Sequence, residues 1–427
     1  RHAATALLVF ETLRAATDAL VSIVSSGAAT VELMDAASLR AASVDPESAD
    51  ALPTLAVVHH CALLVEYQAG TAEELTAFTG PAEELFAALP LVEPASLSTN
   101  AGRRRALWHV RKGPYATIAG ARPPGTTALL EDIAVPVDQL SETCAGLQRL
   151  FDAHEYDEAV IFGHAKDGNV HFLITEDFED PVSVARYRAF TEDMVDLVLE
   201  AGGTLKAEHG TGRIMAPFVE RQYGADLFAI MSTIKRAFDP ARILNPDTVL
   251  TDDADLHLRN LKSTPTVEAE VDRCVECGYC EPVCPSKDLT TTPRQRIVVR
   301  RAIAEADARG DRALSKQLRQ AQGYEVVETC AVDGMCQTAC PVMINTGDLV
   351  RRLRSESVGR VESAVWSTAG KWWRTTTRAT SAALSLAATL PAPVIQIPNK
   401  AARGLLGDDV VPMWAPDLPR GGGRRGS

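Results

Sequence analysis

Seven of the nine cysteines lie in two blocks between Arg273 and Pro341. The first block has the spacing C-x2-C-x2-C-x3-C-P and contains Cys274, Cys277, Cys280 and Cys284. The second has the spacing C-x5-C-x3-C-P and contains Cys330, Cys336 and Cys340, with Asp333 at the position of a further cysteine. Thiolates three residues apart in a tightly wound loop can converge on one inorganic centre, so the two blocks predict iron-sulfur clusters.

The spacing of the first block resembles that of bacterial ferredoxins, in which the fourth cysteine of a run ligates the other of two clusters. We therefore assign to cluster one the thiolates of Cys274, Cys277, Cys280 and Cys340. Cluster two is assigned the thiolates of Cys284, Cys330 and Cys336. Zinc is the main chemical alternative, because C-x2-C pairs are common in zinc sites. Four ligands close a zinc site, however, and would not explain seven cysteines in duplicated order.

Asp333 leaves the type of cluster two open. Either its carboxylate ligates a fourth iron, giving a 4Fe-4S cluster with a labile corner, or that corner is empty and the cluster is 3Fe-4S. The second block resembles the 3Fe-4S site in the iron-sulfur subunit of succinate dehydrogenases. An aspartate that merely caps a turn is compatible with the empty corner.

Two histidines flank a predicted turn at Lys166–Asn169. Apolar strands on both sides of this Asp-Gly sequence predict a β-hairpin. In a four-residue loop, Ala165 would pair with Val170, and His164 would lie directly opposite His171. Opposed side chains have Cβ atoms about 4.5 to 5.5 Å apart, which lets two imidazoles bind one metal ion.

The third metal ligand is expected from the sequence Glu208-His209, which has glycines on both sides. Glycine lets the backbone turn sharply and approach a ligand closely. Because adjacent residues at a turn point to different sides, Glu208 could complete the metal site while His209 faces a substrate.

The elements that must hold these residues alternate between strands and amphipathic helices, which predicts an α+β or α/β layer. A buried strand is predicted at Cys61–Tyr67, followed by a capped helix start at Thr71–Glu74. The other predicted elements are a strand at Thr127–Val135 and helices at Ala4–Ser26, Arg103–Lys112, Val137–Ala153, Val182–Ala201 and Thr292–Gln322, the last with Pro293 in its first turn.

The chain has 427 residues and a formal net charge of -13, with 46% hydrophobic residues. This length predicts two or three domains, and the negative charge argues against a nucleic-acid or acidic-membrane surface. No uninterrupted apolar run reaches the ~18 residues of a membrane span. Cysteines committed to clusters fit a reducing compartment, so we expect a cytoplasmic protein, or a membrane-peripheral one through a partner.

The stretch Phe162–His171, followed by Glu208–Gly212, resembles the C-terminal domain of the FAD-linked oxidases of the vanillyl-alcohol oxidase type. That family includes glycolate oxidase and the D-lactate and D-2-hydroxyglutarate dehydrogenases. Further segments that carry the resemblance are Val31–Asp35, Leu107–Arg111, Glu131–Pro136 and Leu244–Leu250. The resemblance covers 1–250, and the cysteine blocks match long bacterial members with a fused ferredoxin-like module.

The resemblance implies roles for individual residues. The divalent metal, usually zinc, would be held by His164, His171 and Glu208, and His209 would be the general base. Arg111 would bind the substrate carboxylate, and Asn169 is a further substrate-binding candidate. The implied fold is α+β, with an antiparallel-sheet oxidase C-terminal (cap) domain and an all-α ferredoxin-like iron-sulfur domain.

The predicted domains are an oxidase-like substrate and metal domain at 1–250, a linker at 251–272 and a helical iron-sulfur domain at 273–358. A Trp-bearing helix and a Pro/Gly-rich tail at 359–427 would lead to a possible missing domain. The sequence lacks a Rossmann glycine fingerprint. The resemblance therefore implies that FAD is bound mainly by an absent N-terminal domain or subunit, and that this chain alone has no turnover.

The resulting hypothesis is a flavin-dependent D-2-hydroxyacid dehydrogenase that passes electrons from FAD through two iron-sulfur clusters to a downstream acceptor. One alternative is an electron-transfer subunit whose oxidase-like half is not catalytic. Another is an iron-sulfur subunit of the succinate dehydrogenase kind, but such subunits lack the His164, His171 and Glu208 set. A hydrolytic zinc site is disfavoured, since clusters add nothing to hydrolysis.

Overall fold

The structure is a computed structural model that describes residues 2–43, 52, 56–112, 114–408, 411–415, 417, 418 and 421. The chain divides into two compact units, Arg1–Val350 and Arg351–Ser427. The last part of the predicted Pro/Gly-rich tail, 419–427, lies outside the described residues apart from Gly421. The division into four predicted segments, 1–250, 251–272, 273–358 and 359–427, stays a prediction.

One six-stranded sheet forms the centre of the first unit. Its strands are β1 (His2–Phe10), β2 (Thr30–Met34), β3 (Cys61–Ala69), β4 (Thr127–Ala134), β5 (Val160–Gly163) and β6 (Asn169–Glu176). The order across the sheet is β1-β3-β2-β5-β6-β4, and every neighbouring pair is antiparallel. The antiparallel sheet and the strands predicted at Cys61–Tyr67 and Thr127–Val135 are confirmed.

The helix predicted at Ala4–Ser26 is wrong over its first half, which forms β1. This strand is buried on both faces, so its apolar residues follow no clear period and a helix and a strand cannot be told apart by pattern. The second half forms the short helices α1 (Leu13–Asp18) and α2 (Leu20–Ser25). Helix α1 begins after Thr12, whose side chain accepts a hydrogen bond from the backbone of Ala15.

Helices cover both faces of the sheet. Alternate residues of β3 point to opposite faces: Leu63 and Val65 belong to the main core, whereas Ala62 and Leu64 belong to a smaller one. The remaining helices of the oxidase-like part are α3 (Ala36–Ser43), α4 (Ala72–Ala88), α5 (Ala101–Lys112), α6 (Pro114–Ala121), α7 (Leu140–Ala153), α8 (Pro181–Glu200), α9 (Val219–Tyr223) and α10 (Ala225–Phe238). The main core is covered by α1, α2, α4, α7 and α8, and the opposite face by α3, α5 and α6.

Local signals predicted several of these helices well. The start of α4 has the predicted capping box, in which the Thr71 side chain accepts from the Glu74 backbone and the Glu74 side chain accepts from the Thr71 backbone. Helix α8 matches the predicted Val182–Ala201 closely. The segment Val137–Gln139 is a 3-10 turn that leads directly into α7.

Helices and turns make up the described cysteine-rich part and the second unit. The helices are α11 (Pro293–Ala308), α12 (Arg312–Gln322), α13 (Met335–Thr338), α14 (Thr346–Ser357), α15 (Arg360–Lys371), α16 (Trp373–Ala387) and α17 (Ala392–Leu406). Pro293 occupies the first turn of α11, as predicted. The helix predicted at Thr292–Gln322 is interrupted between α11 and α12, where Gly310 has a φ of 72°. None of the helices in the described part of the chain combines the length and apolar character that crossing a bilayer requires.

We expect Gly168→Ala to destabilise the oxidase-like part strongly. Gly168 has a φ of +68°, and an added Cβ would lie 1.8 Å from the Val135 carbonyl oxygen. The backbone must therefore move, and we expect the free energy of unfolding to fall by about 3 kcal/mol or more, measured by urea denaturation.

Gly202→Ala is the matched control. Gly202 has a φ of +70° but nothing lies within 4 Å of an added Cβ, so the backbone strain remains and the clash does not. A loss of about 1 kcal/mol is expected there. Equal losses in both variants would contradict the tight packing of Gly168 against Val135.

Candidate metal and iron-sulfur sites

The hairpin between β5 and β6 has a different register from the predicted one. Phe162, not His164, lies opposite His171. The strand ends at Gly163, where an added Cβ would lie 2.6 Å from the Val170 Cα. After this close approach the chain leaves the sheet and forms a 3-10 turn at Ala165–Asp167. Because Ala165 lies in this turn and not in a strand, the predicted pairing of Ala165 with Val170 is also wrong.

The two imidazoles nevertheless come together. The ring centroids of His164 and His171 are 5.4 Å apart, and the rings are nearly perpendicular. The Glu208 Oε1 atom lies 3.3 Å from His164 Nε2 and 3.0 Å from His171 Nε2. One ligand atom from each of the three residues lies within 4.8 Å of the others, as a shared metal ion requires.

His209 lies beside this group. Its ring stacks on that of His171 with centroids 4.9 Å apart and an interplanar angle of 11°. Its Nε2 atom is 3.7 Å from Glu208 Oε1, and its side chain is 39% exposed. The structure thus brings together all four residues that were predicted to bind metal or act as base.

A buried carboxylate holds the loop that carries Glu208 and His209. Asp132 Oδ2 accepts hydrogen bonds from the backbone N–H groups of Ala207, Glu208 and His209, at 3.0, 2.8 and 2.9 Å. Burial raises the pKa of the Asp132 carboxyl, but these N–H donors outweigh burial and lower the pKa. The ionised carboxylate therefore orients the two functional residues.

The other Asp132 oxygen faces β6. Asn169 Nδ2 donates to Asp132 Oδ1 at 2.9 Å, and His171 Nδ1 lies 3.7 Å from the same oxygen. Burial lowers the pKa of His171, which favours the neutral imidazole that a metal binds. Its Nδ1 atom is buried without a hydrogen-bond partner, while Nε2 points to Glu208.

Glu32 is the carboxylate that orients the His164 ring. The His164 Nδ1 atom donates to Glu32 Oε1 at 2.8 Å, which raises the pKa of His164. This contact directs Nε2 towards Glu208, as in the carboxylate-histidine pairs of metal sites. Glu32 Oε2 accepts from Arg111 Nε at 2.9 Å, and the Arg111 guanidinium lies 5.2 Å from the centre of the Phe162 ring.

Sequence reasoning assigned no role to Glu32 or Asp132, or to the ion pair between Lys206 and Glu131 next to the loop. A signal was present, since all three carboxylates interrupt otherwise apolar strands. A buried charge needs a partner, so such residues are candidates for positioning a site. The pattern does not reveal which distant segment each of them contacts.

The cysteines surround two cavities. One is lined by Cys274, Cys277, Cys280 and Cys340, and the other by Cys284, Cys330, Cys336 and Asp333. These are the two groups assigned from the ferredoxin-like spacing. The donor sets fit iron-sulfur clusters, because thiolates are the ligands such clusters take. Asp333 is exposed, and its Oδ1 atom accepts a hydrogen bond from the Met335 backbone at 3.2 Å in the turn that precedes α13.

The first cysteine block is anchored to the oxidase-like part. The carbonyl oxygen of Cys274 accepts from Arg122 Nη2 at 3.1 Å and from Arg301 Nη2 at 3.0 Å. Arg301 also pairs with Glu276 at 2.7 Å. By contrast, Cys61 and Cys144 are buried in the main core, and burial raises the pKa of both thiols.

Comparisons with known proteins agree with this arrangement. Residues 1–249 match the family described as FAD linked oxidases, C-terminal domain, and residues 270–344 match a 4Fe-4S dicluster domain.

Three relatives represent the homologues. The glycolate oxidase subunit GlcD of Bacillus subtilis is 32% identical over 150 residues, which cover 35% of this chain and 31% of that protein. The probable mitochondrial D-lactate dehydrogenase of Danio rerio is 27% identical over 249 residues, which cover 57% of this chain and 48% of that protein. The D-2-hydroxyglutarate dehydrogenase of Escherichia coli is 29% identical over 181 residues, which cover 38% of this chain and 18% of that protein.

The chain spans less than half the length of each of these relatives. The family match covers more than half of the chain and contains the whole histidine and glutamate site. The predicted resemblance is confirmed: the chain belongs to the FAD-linked oxidase family through its C-terminal domain, to which a 4Fe-4S dicluster domain is fused.

Proposed function

We propose that this chain is the substrate-binding and electron-transfer part of a flavin-dependent D-2-hydroxyacid dehydrogenase, of the D-lactate, D-2-hydroxyglutarate or glycolate class. The observation that carries the proposal is the convergence of His164, His171 and Glu208, with His209 stacked beside them. The same compact unit contains both cysteine-lined cavities. FAD would be bound mainly by a domain or subunit outside this chain.

The donor set fits a divalent metal ion, and zinc in particular. Two imidazoles and a carboxylate are a common zinc ligand set in catalytic sites, where a further coordination position stays open. When bound, the ion supplies Lewis acidity that lowers the pKa of a substrate hydroxyl. His164 and His171 would bind it through Nε2 and Glu208 through Oε1, with Glu32 and Asp132 fixing the orientation of the ligands.

His209 would be the general base. Its backbone N–H is held by Asp132, so the imidazole is fixed at the rim of the site beside the metal ligands. The Nε2 atom would accept the proton of the substrate hydroxyl as the hydride leaves the substrate Cα. FAD, when bound, supplies the hydride acceptor, and the product is a 2-oxo acid.

Arg111 would bind the substrate carboxylate. Asn169 would act indirectly, by donating a hydrogen bond to the Asp132 carboxylate that orients the site. A guanidinium presents several donors in a fixed fork that suits a carboxylate. Glu32 occupies the Arg111 Nε atom and holds the side chain next to His164. Asn169 is only 6% exposed and donates to Asp132, which supports an indirect role in substrate binding.

The cysteines would hold one 4Fe-4S cluster and one 3Fe-4S cluster. The first set of four thiolates matches four irons, whereas the second has three thiolates and Asp333. Because Asp333 is exposed and its carboxylate already accepts a hydrogen bond from the Met335 backbone, we propose that it leaves one cluster corner empty. The two clusters would carry single electrons from FAD to the downstream acceptor.

We expect the chain to bind one zinc ion at the histidine site, measured by competition with a chelator after the clusters have been reconstituted so that the thiolates are occupied. His171→Ala should weaken zinc binding by at least ~100-fold through loss of a ligand, and Glu32→Gln by roughly 10–100-fold through loss of the supporting carboxylate. His59→Ala is the control, since His59 is exposed and distant in sequence from the site. Equal zinc affinity in His171→Ala and the unmodified chain would contradict the metal assignment.

The oxidised, anaerobically reconstituted chain should show an EPR signal from the 3Fe-4S cluster before any reductant is added. Asp333→Cys supplies a fourth thiolate and should abolish this signal by completing a 4Fe-4S cluster. Cys280→Ala, in the other cavity, should leave the signal in place. Silence of the oxidised unmodified protein, despite full iron content, would argue for a four-iron cluster with Asp333 as ligand.

The proposed reaction is tested by supplying the FAD-binding part, either in trans or as a longer chain. Addition of D-lactate, D-2-hydroxyglutarate or glycolate should bleach the flavin and then reduce the clusters. His209→Ala should slow bleaching by about 10²–10⁴-fold, the usual contribution of a positioned general base. Flavin that binds normally but is bleached by none of the three acids would favour an electron-transfer protein with a non-catalytic oxidase half.

A further inference from the structure

Arg296 is the most unusual charged residue near the second cysteine cavity. It lies on α11, it is 1% exposed, and it is the largest of the fully buried side chains in the described structure. Its Nη1 atom lies 3.8 Å from Cys284 Sγ. The Nε and Nη2 atoms are buried without hydrogen-bond partners.

The other buried or half-buried arginines of this region have carboxylate partners or carbonyl acceptors. On the same helix, Arg300 pairs with Glu268 and Arg301 pairs with Glu276. Among the residues that the structure describes, no ion pair joins Arg296 to a carboxylate. Its side chain instead lines the cavity that Cys284, Cys330 and Cys336 share.

A buried guanidinium without a counter-ion is strongly unfavourable, because burial removes its hydration and nothing replaces it. An anion in the cavity would neutralise the guanidinium charge and provide hydrogen-bond acceptors for the two unpaired nitrogen atoms. A thiolate-ligated iron-sulfur cluster is such an anion, and hydrogen bonds to its sulfur atoms are known to set its reduction potential.

We propose that Arg296 is a positioning residue for cluster two. Its guanidinium retains this cluster in the protein and raises the reduction potential of cluster two above that of cluster one. This inference rests on the proposed function only in requiring that the second cavity holds a cluster. When the cluster accepts one electron it gains one negative charge, while Arg296 keeps its protons and its charge. The cation therefore stabilises the reduced cluster more than the oxidised one.

Cluster one has a different electrostatic environment. Arg294, which lines the cavity of cluster one, pairs with Glu281 at 2.9 Å. Arg122 and Arg301 lie nearby and donate to the Cys274 carbonyl oxygen, and Glu276 pairs with Arg301 and Lys262. These carboxylate and carbonyl acceptors offset the positive charges. We therefore expect cluster two to be the centre that is reduced first, because the arginine that lines its cavity has no carboxylate partner among the described residues.

The test is an EPR-monitored redox titration of the full chain with both clusters reconstituted. Arg296→Gln removes the charge, and we expect the one-electron reduction constant of cluster two to fall at least tenfold, which is 59 mV for a one-electron couple. Arg296→Lys keeps the charge and should retain most of the potential. Arg309→Gln removes an exposed charge at the far end of α11 and should leave both potentials unchanged.

Loss of cluster two alone from Arg296→Gln, with retention in Arg296→Lys, would also support the proposal. An unchanged potential of cluster two in Arg296→Gln would overturn it, as would equal shifts of both clusters. Loss of both clusters from both variants would likewise overturn it, since Arg296 would then support only the fold. Iron analysis of the unmodified chain separates this inference from the proposed function: a single bound cluster would refute the second site itself.

Discussion

The histidine site depends on one buried carboxylate. Asp132, which is fully buried on β4, accepts hydrogen bonds from three consecutive backbone N–H groups of the loop at Ala207–His209. Three donors keep it ionised despite burial, so it acts as a fixed anchor rather than as a proton carrier. The start of the loop is also joined to β4 by the backbone pair of Ala134 with Thr204 and by the ion pair of Lys206 with Glu131, but Asp132 holds the residues that carry the functional side chains.

The oxidase-like part and the cysteine-rich part are in direct contact through the backbone of Cys274. Arg122 follows α6 of the oxidase-like part, and Arg301 belongs to the helix that lines the cysteine cavities; both donate to one carbonyl oxygen, that of Cys274. Gly120 allows this approach, since an added Cβ would lie 2.4 Å from a methyl group of Val342.

Several features could be predicted from the sequence because they are local. The capping box at Thr71 and Glu74 needs only four residues, and the cysteine spacing groups the thiolates because a tightly wound loop limits which of them can converge. Long-range features could not be predicted in the same way. The segment His2–Phe10 has no distinct period because β1 is buried on both faces, and the register of the hairpin depends on the close packing of Gly163 against Val170.

By itself, the sequence determined the types and spacing of the ligands, and these already predict iron-sulfur clusters and a divalent metal site. Only the tertiary structure decided how the ligands are held. The strand order β2-β5-β6-β4 brings Glu32 to His164 and Asp132 to His171, although these partners are far apart in the chain. Buried charges are stabilised by whichever groups the fold places beside them, and a linear pattern does not encode that choice. The same reason explains why Arg296 appears in the sequence as one arginine among several on a helix, whereas in the structure it is fully buried beside Cys284.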